Sequence, residues 1–117
     1  MSDLKILHNP RCSKSRQTLE LLHERGFEPQ IIEYLKTPIN ADDLKSIISQ
    51  LGFSSPRQLI RKGEDTYKTQ NLADPSLTHE ALINAMLLFP KLIERPIVIF
   101  NQKAAIGRPP VSVLDIL

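Results

Sequence analysis

One cysteine, Cys12, is all the thiol chemistry this chain contains. A lone cysteine cannot close an internal disulfide, which points to a reducing compartment. No apolar run approaches the ~20 residues needed to span a bilayer. Residues 1–20 carry charges throughout and lack the apolar centre of a signal peptide. A cytoplasmic location without membrane attachment is therefore expected. Lysine and arginine total 15 against 13 acidic residues, and the basic residues are spread along the chain, so nucleic acid is not implied. One cysteine and three scattered histidines offer no metal-ligand spacing, and no bound cofactor is expected. Repeats, low-complexity tracts and linkers are also missing. What remains is an ordinary globular composition of 117 residues, enough to bury a core without cross-links. A single domain over residues 1–117 is expected, with a monomer as the default.

The chain then reads as alternating strands and helices. Leu4–His8 is a short buried strand, and Ser15–Arg25 has helical spacing with Gly26 as its stop. Pro29–Tyr34 is a second strand, parallel to the first because a helix joins them. Asn40 caps a helix with Leu44, Ile47, Ile48 and Leu51 on its apolar face, ended by Gly52. Ser55-Pro56 opens another short helix. Residues 63–76 are polar and irregular, with room for one helical turn. Thr78 caps a helix bearing Leu82, Ala85, Met86 and Phe89, limited by Pro90. Pro96–Phe100 is a central strand. Asn101-Gln102 turns the chain into an antiparallel strand, Lys103–Gly107, and Val111–Leu117 is a terminal helix. A βαβ unit and a ββα unit with helices between them predict an α/β, thioredoxin-like fold. Its mixed four-stranded sheet would have flanking helices and an enlarged helical insert.

Cys12 falls in the loop between the first strand and the first helix. Unpaired N–H groups and the helix dipole favour negative charge at such a place. Arg11, Lys14 and Arg16 add cations nearby. Thiols at helix N-termini beside cations are commonly activated as thiolates. The same amides suit an oxyanion. His8, at the end of the strand, can tether the loop or pair with the thiolate. Ser15, one helical turn after Cys12, can donate a hydrogen bond to it.

The pattern is Cys-x-x-Ser with no second thiol, so an oxidised Cys12 must be resolved by another molecule, such as glutathione. A phosphatase loop would need arginine where Thr18 stands, and Arg16 comes too early. Three distant arginines complete the candidate site. Arg61 ends the short helix after Ser55. Arg95 precedes Pro96 and the central strand, in a loop where thioredoxin-like folds often place a cis-proline. Arg108 precedes Pro109-Pro110. Guanidinium forks suit tetrahedral oxyanions because they engage two oxygens at once. Arg57 and Lys62 read as surface charge, and His23 and His79 as exposed helix residues.

Four segments carry a family resemblance. They are His8-Asn9-Pro10-Arg11-Cys12-Ser13-Lys14-Ser15-Arg16, Leu59-Ile60-Arg61-Lys62, Glu94-Arg95-Pro96-Ile97-Val98, and Gly107-Arg108-Pro109-Pro110 leading to Val113-Leu114-Asp115-Ile116-Leu117. In order and spacing the whole chain resembles the glutaredoxin-coupled arsenate reductase family. The resemblance implies Cys12 as nucleophile, with His8 and Ser15 setting the thiolate. It implies oxyanion binding by Arg61, Arg95 and Arg108, with Arg16 added from the same loop. It also implies glutathione as co-substrate, glutaredoxin as partner, and arsenate or a similar oxyanion as substrate. Ser13-Lys14 departs from the Gly-Thr usual after the family's cysteine, which marks an arsenate-reductase-like branch and leaves open another oxyanion or a glutathionylated substrate. A related family of redox-sensing regulators binds RNA polymerase through a Cys-x-x-Cys switch. Here Ser15 occupies the second cysteine's place.

Overall fold

Short apolar runs form the sheet. In the computed structural model, which describes residues 4–117, Lys5–Leu7 form β1, Gln30–Ile32 β2, Ile97–Phe100 β3 and Lys103–Ile106 β4. The first three residues of the expected domain lie outside the described residues. The strand order is β2-β1-β3-β4. β1 and β2 run parallel, β3 is antiparallel to β1, and β4 is antiparallel to β3. The register aligns Ile31, Ile6, Val98 and Ala105 across one face. Leu7 and Ile97 pair on the opposite face, and both are buried. This is the mixed, thioredoxin-like sheet expected from the sequence.

The chain divides into two compact units, Met1–Thr37 with Arg95–Leu117, and Pro38–Glu94. The first holds the sheet, the helix α1 (Ser13–Glu24) and a terminal 3-10 helix, Pro110–Ile116. Leu4, Ile6, Leu22, Val98 and Val113 form its core, with Leu19, Phe27 and Phe100 packed against them. The β3–β4 turn places Asn101 and Gln102 at φ of 51° and 65°. Both central residues are thus left-handed, which matches the right-handed twist of a two-residue hairpin. β4 ends one residue earlier than expected: the Gly107 amide donates to the Pro96 carbonyl (2.9 Å), but proline has no N–H to return the bond and extend the ladder. The terminal segment winds as a 3-10 helix, with prolines at its start.

The second unit is the helical insert. It contains α2 (Ala41–Gln50), α3 (Asp65–Thr69) and α4 (His79–Leu88), with 3-10 helices at Pro56–Leu59 and Pro90–Leu92. Asn40 and Thr78 cap α2 and α4 through their side-chain oxygens. Each such cap contributes about 1 kcal/mol. Ser55 and Gln58 form a reciprocal capping box at Pro56–Leu59. Leu44, Ile47, Leu59, Leu82, Met86 and Leu92 are buried. Pro90 does more than limit α4: it opens a turn that buries Leu92. Arg57 departs from the surface role expected of it. Its guanidinium donates to the Leu72 carbonyl (2.6 Å) and the Asp74 carbonyl (2.9 Å), so it ties down the irregular 63–76 segment.

Among the described residues, no helix is long and apolar enough to cross a membrane. No group of three or more His, Cys, Asp or Glu residues there could hold a metal ion.

Candidate active site

The site is built from a tight turn. Asn9-Pro10-Arg11-Cys12 closes with the Cys12 amide donating to the Asn9 carbonyl (2.9 Å). Proline at the second position presets the turn's backbone. The Asn9 side chain accepts from the Arg11 amide (3.0 Å) and tightens the same turn. Cys12 then sits at φ −92°, ψ 123° as the N-cap of α1. It forms no side-chain cap, and the first turn of α1 contains no acidic residue. The positive end of the helix dipole is therefore not cancelled locally, and a thiolate at Cys12 would meet it.

Cys12 is 8% exposed. Its sulfur lies 3.5 Å from Arg108 Nη2, a contact between residues 96 positions apart in sequence. Arg108 is itself braced, with Nε donating to the Arg95 carbonyl (2.7 Å). The Arg95-Pro96 bond is cis, as the sequence led us to expect, and the Arg108-Pro109 bond is cis as well. Arg95 is partly buried beside this brace.

His8 and Ser15 meet directly. His8 Nδ1 and Ser15 Oγ are 2.6 Å apart, in a buried pair. The Asn9 amide also donates to Ser15 Oγ (3.0 Å). Burial holds His8 below the ordinary histidine pKa; the Glu33 carboxylate opposes this and the Arg16 charge adds to it. The imidazole is thus kept neutral, with one ring nitrogen bearing the proton. If that proton is on Nδ1, His8 donates to Ser15, and Ser15 keeps its own proton for another acceptor.

Arg16 and Arg61 each have partners of their own. Arg16 lies exposed on α1, and its Nη1 donates to the Pro10 carbonyl (2.9 Å), bracing the turn from outside. Its helix position, one turn past Cys12, carries the side chain back over the loop. Arg61 belongs to the other unit, where its guanidinium pairs with Glu64 (3.3 Å) and Glu94 (3.4 Å). Cys12, Arg108, and the Arg95 carbonyl that braces it are brought together, and so are His8 and Ser15.

Three residues were not singled out from the sequence. Asn9 organises the turn, and its place before proline in the loop was the available signal. Thr18 is fully buried, with its hydroxyl donating to the Lys14 carbonyl (2.8 Å). Gly107 packs where no side chain fits. Nothing local distinguishes either of the last two.

Known proteins share this arrangement of elements. A protein of Escherichia coli K12 named YfgD, described as uncharacterized, is 58% identical over 114 residues, 97% of this chain and 96% of its own. An arsenate reductase of Neisseria meningitidis is 49% identical over 109 residues, 93% of each chain. The solved arsenate reductase of Vibrio cholerae superposes with a TM-score of 0.96 at 50% identity, covering 97% of both chains. The ArsC family model matches residues 7–116, from the end of β1 through the terminal 3-10 helix, and on that footing the chain belongs to the ArsC family.

Proposed function

We propose that this protein is an arsenate reductase in which Cys12 is the nucleophile and the electrons come from external thiols. The observation that carries the reading is the Arg108 Nη2–Cys12 Sγ contact of 3.5 Å at the N-terminus of α1. A guanidinium beside a sulfur at a helix N-terminus suits a bound oxyanion. The names of relatives at 44–49% identity support arsenate as that oxyanion.

The chemistry follows from the residues. The Cys12 thiolate attacks arsenic(V), a sulfur–arsenic bond forms, and one arsenate oxygen leaves as water. Arg108 and Arg95 neutralise charge on the remaining oxygens. His8, protonated on Nδ1, holds Ser15 so that the serine hydroxyl can donate to the sulfur. With no second cysteine, two external thiols must supply the two electrons. Glutathione adds to the adduct with loss of a second water, and glutaredoxin removes it as a mixed disulfide, leaving its electron pair on arsenic so that arsenic(V) becomes arsenic(III). Arsenite is then released by hydrolysis and Cys12 is regenerated. The balance is one arsenate and two thiols giving one arsenite, one disulfide and one water. Such a reaction belongs in a reducing cytoplasm, and a monomer suffices for it.

The test is arsenate-dependent NADPH oxidation coupled through glutaredoxin, glutathione and glutathione reductase. Wild type should turn over, and Cys12→Ser should not. Turnover retained in Cys12→Ser would overturn the nucleophile. No turnover by folded wild type would overturn arsenate as the substrate.

A further inference from the structure

Gly107 is not required by its backbone. It lacks the left-handed φ found at Gly26 (84°) and Gly52 (77°), so alanine could adopt its conformation. It is required by space. A Cβ added there would collide with Thr18 Oγ1 and lie 2.8 Å from Pro96 Cγ and 3.2 Å from Thr18 Cγ2. Ordinary contact begins at 3.4 Å. The chain must therefore move by roughly 0.6 Å or more to admit one methyl group, in a close-packed setting.

The neighbours decide what that movement would do. Thr18 is fully buried on α1, the helix capped by Cys12, and its hydroxyl is fixed to the Lys14 carbonyl (2.8 Å). The Gly107 amide donates to the Pro96 carbonyl (2.9 Å). The next residue is Arg108, whose Nε donates to the Arg95 carbonyl (2.7 Å) and whose Nη2 reaches Cys12 Sγ (3.5 Å). Each end of the sulfur–guanidinium contact is thus tied to one side of the Thr18–Gly107 contact. Cys12 is tied through α1, and Arg108 through the chain itself.

We infer that Thr18 and Gly107 form a steric gauge that sets the distance between Cys12 and Arg108. They are positioning residues and touch no substrate. The inference rests on the proposed role of Arg108 at Cys12, but not on arsenate being the substrate. A displacement of ~1 Å at a catalytic contact can cost up to ~100-fold in rate. A shift somewhat smaller than that should still cost about tenfold.

The experiment is a double-mutant cycle with two readouts. The variants are Gly107→Ala, Arg108→Ala, Gly107→Ala/Arg108→Ala and Gly107→Ala/Thr18→Ala, each checked for folding by circular dichroism. The readouts are the rate of Cys12 alkylation by iodoacetamide at neutral pH and kcat/KM for arsenate. Gly107→Ala should lower kcat/KM about tenfold and slow alkylation several-fold. Thr18→Ala should restore part of the loss, because it removes two of the three colliding atoms. With Ala already at position 108, Gly107→Ala should change alkylation by less than about twofold. If Gly107→Ala fails to fold, Thr18→Val presses a methyl on the same contact from α1 and should show the same dependence on Arg108. Alkylation and turnover within twofold of wild type in folded Gly107→Ala would overturn the inference. So would an equal slowing whether or not Arg108 is present, which would mark general damage to the fold. If wild type does not turn over arsenate, the alkylation cycle alone decides the gauge, and only the substrate reading falls.

Discussion

Removing the Ser15 hydroxyl should cost more stability than its size suggests. Ser15 is fully buried, and its oxygen serves two partners, the Asn9 amide (3.0 Å) and His8 Nδ1 (2.6 Å). Ser15→Ala leaves both without a partner. A buried polar group left unpaired costs about 1–3 kcal/mol. His8 is buried and takes a cost within that range, whereas Asn9 is only half-buried and water can replace part of what it loses. The sum is about 2–3 kcal/mol. For a chain of 117 residues the unfolding entropy is about 250 cal/mol/K, so each kcal/mol lowers Tm by about 4 °C. Ser15→Ala should therefore melt about 8–12 °C below wild type. The assay is thermal and urea unfolding by far-UV circular dichroism at pH 8, with Ser13→Ala as control. Ser13 is exposed two residues away on the same helix, and its loss should stay within about 0.5 kcal/mol. The kcat/KM for arsenate should fall in Ser15→Ala and hold in Ser13→Ala. A Ser15→Ala variant as stable as the control would refute the reasoning. It would mean that His8 and Asn9 find other partners at no cost.

Two further outcomes are expected. His8 is held neutral in the folded protein, mainly by burial. Its contribution is intact above the unfolded histidine value of about 6.5 and is lost as pH falls below it, because the unfolded chain then takes up a proton that the native one resists. The stability gap between wild type and His8→Gln should shrink on going from pH 7 to pH 5, by at most about 1.4 kcal/mol per pH unit. Urea titrations that stay parallel across that range would contradict this. Arg57→Ala should remove the guanidinium bonds to the Leu72 and Asp74 carbonyls, destabilise the protein by about 1–3 kcal/mol, and speed limited proteolysis within residues 63–76. Arg57→Lys should recover only part of this, because one ammonium cannot reproduce a two-pronged guanidinium; cleavage at the wild-type rate in Arg57→Ala would remove it from this role.

Sequence by itself determined whatever acts over a few residues. Asn9-Pro10 specifies the turn that delivers Cys12 to the start of α1, because the proline ring and the asparagine side chain act on their own neighbours. Asn40, Ser55 and Thr78 cap helices that start immediately after them. Short apolar runs mark β1 and β3 as strands, with Ile6, Leu7, Ile97 and Val98 buried on both faces of the sheet. Asn101-Gln102 made the hairpin legible, although the left-handed φ at both residues appears only in the structure. The thiol, the histidine and the arginines were legible as residue types.

Tertiary structure decided which of them meet. Residues 12 and 108 are joined only because β1 and β4 both pair with β3, Leu7 and Ile106 each lying opposite Ile97, so that the loops leaving β1 and β4 converge. Burial, which keeps His8 neutral, is a property of everything packed around the ring and has no local signature. Arg16 turned to the Pro10 carbonyl and Arg57 to Leu72 and Asp74, because those carbonyls lie within reach only in the folded chain. The need for glycine at 107 likewise comes from Thr18, which lies far away in sequence and against it in space. Turns and caps are short-range and can be read from neighbours. Contact distances across a sheet depend on register and packing, which no short stretch of sequence contains.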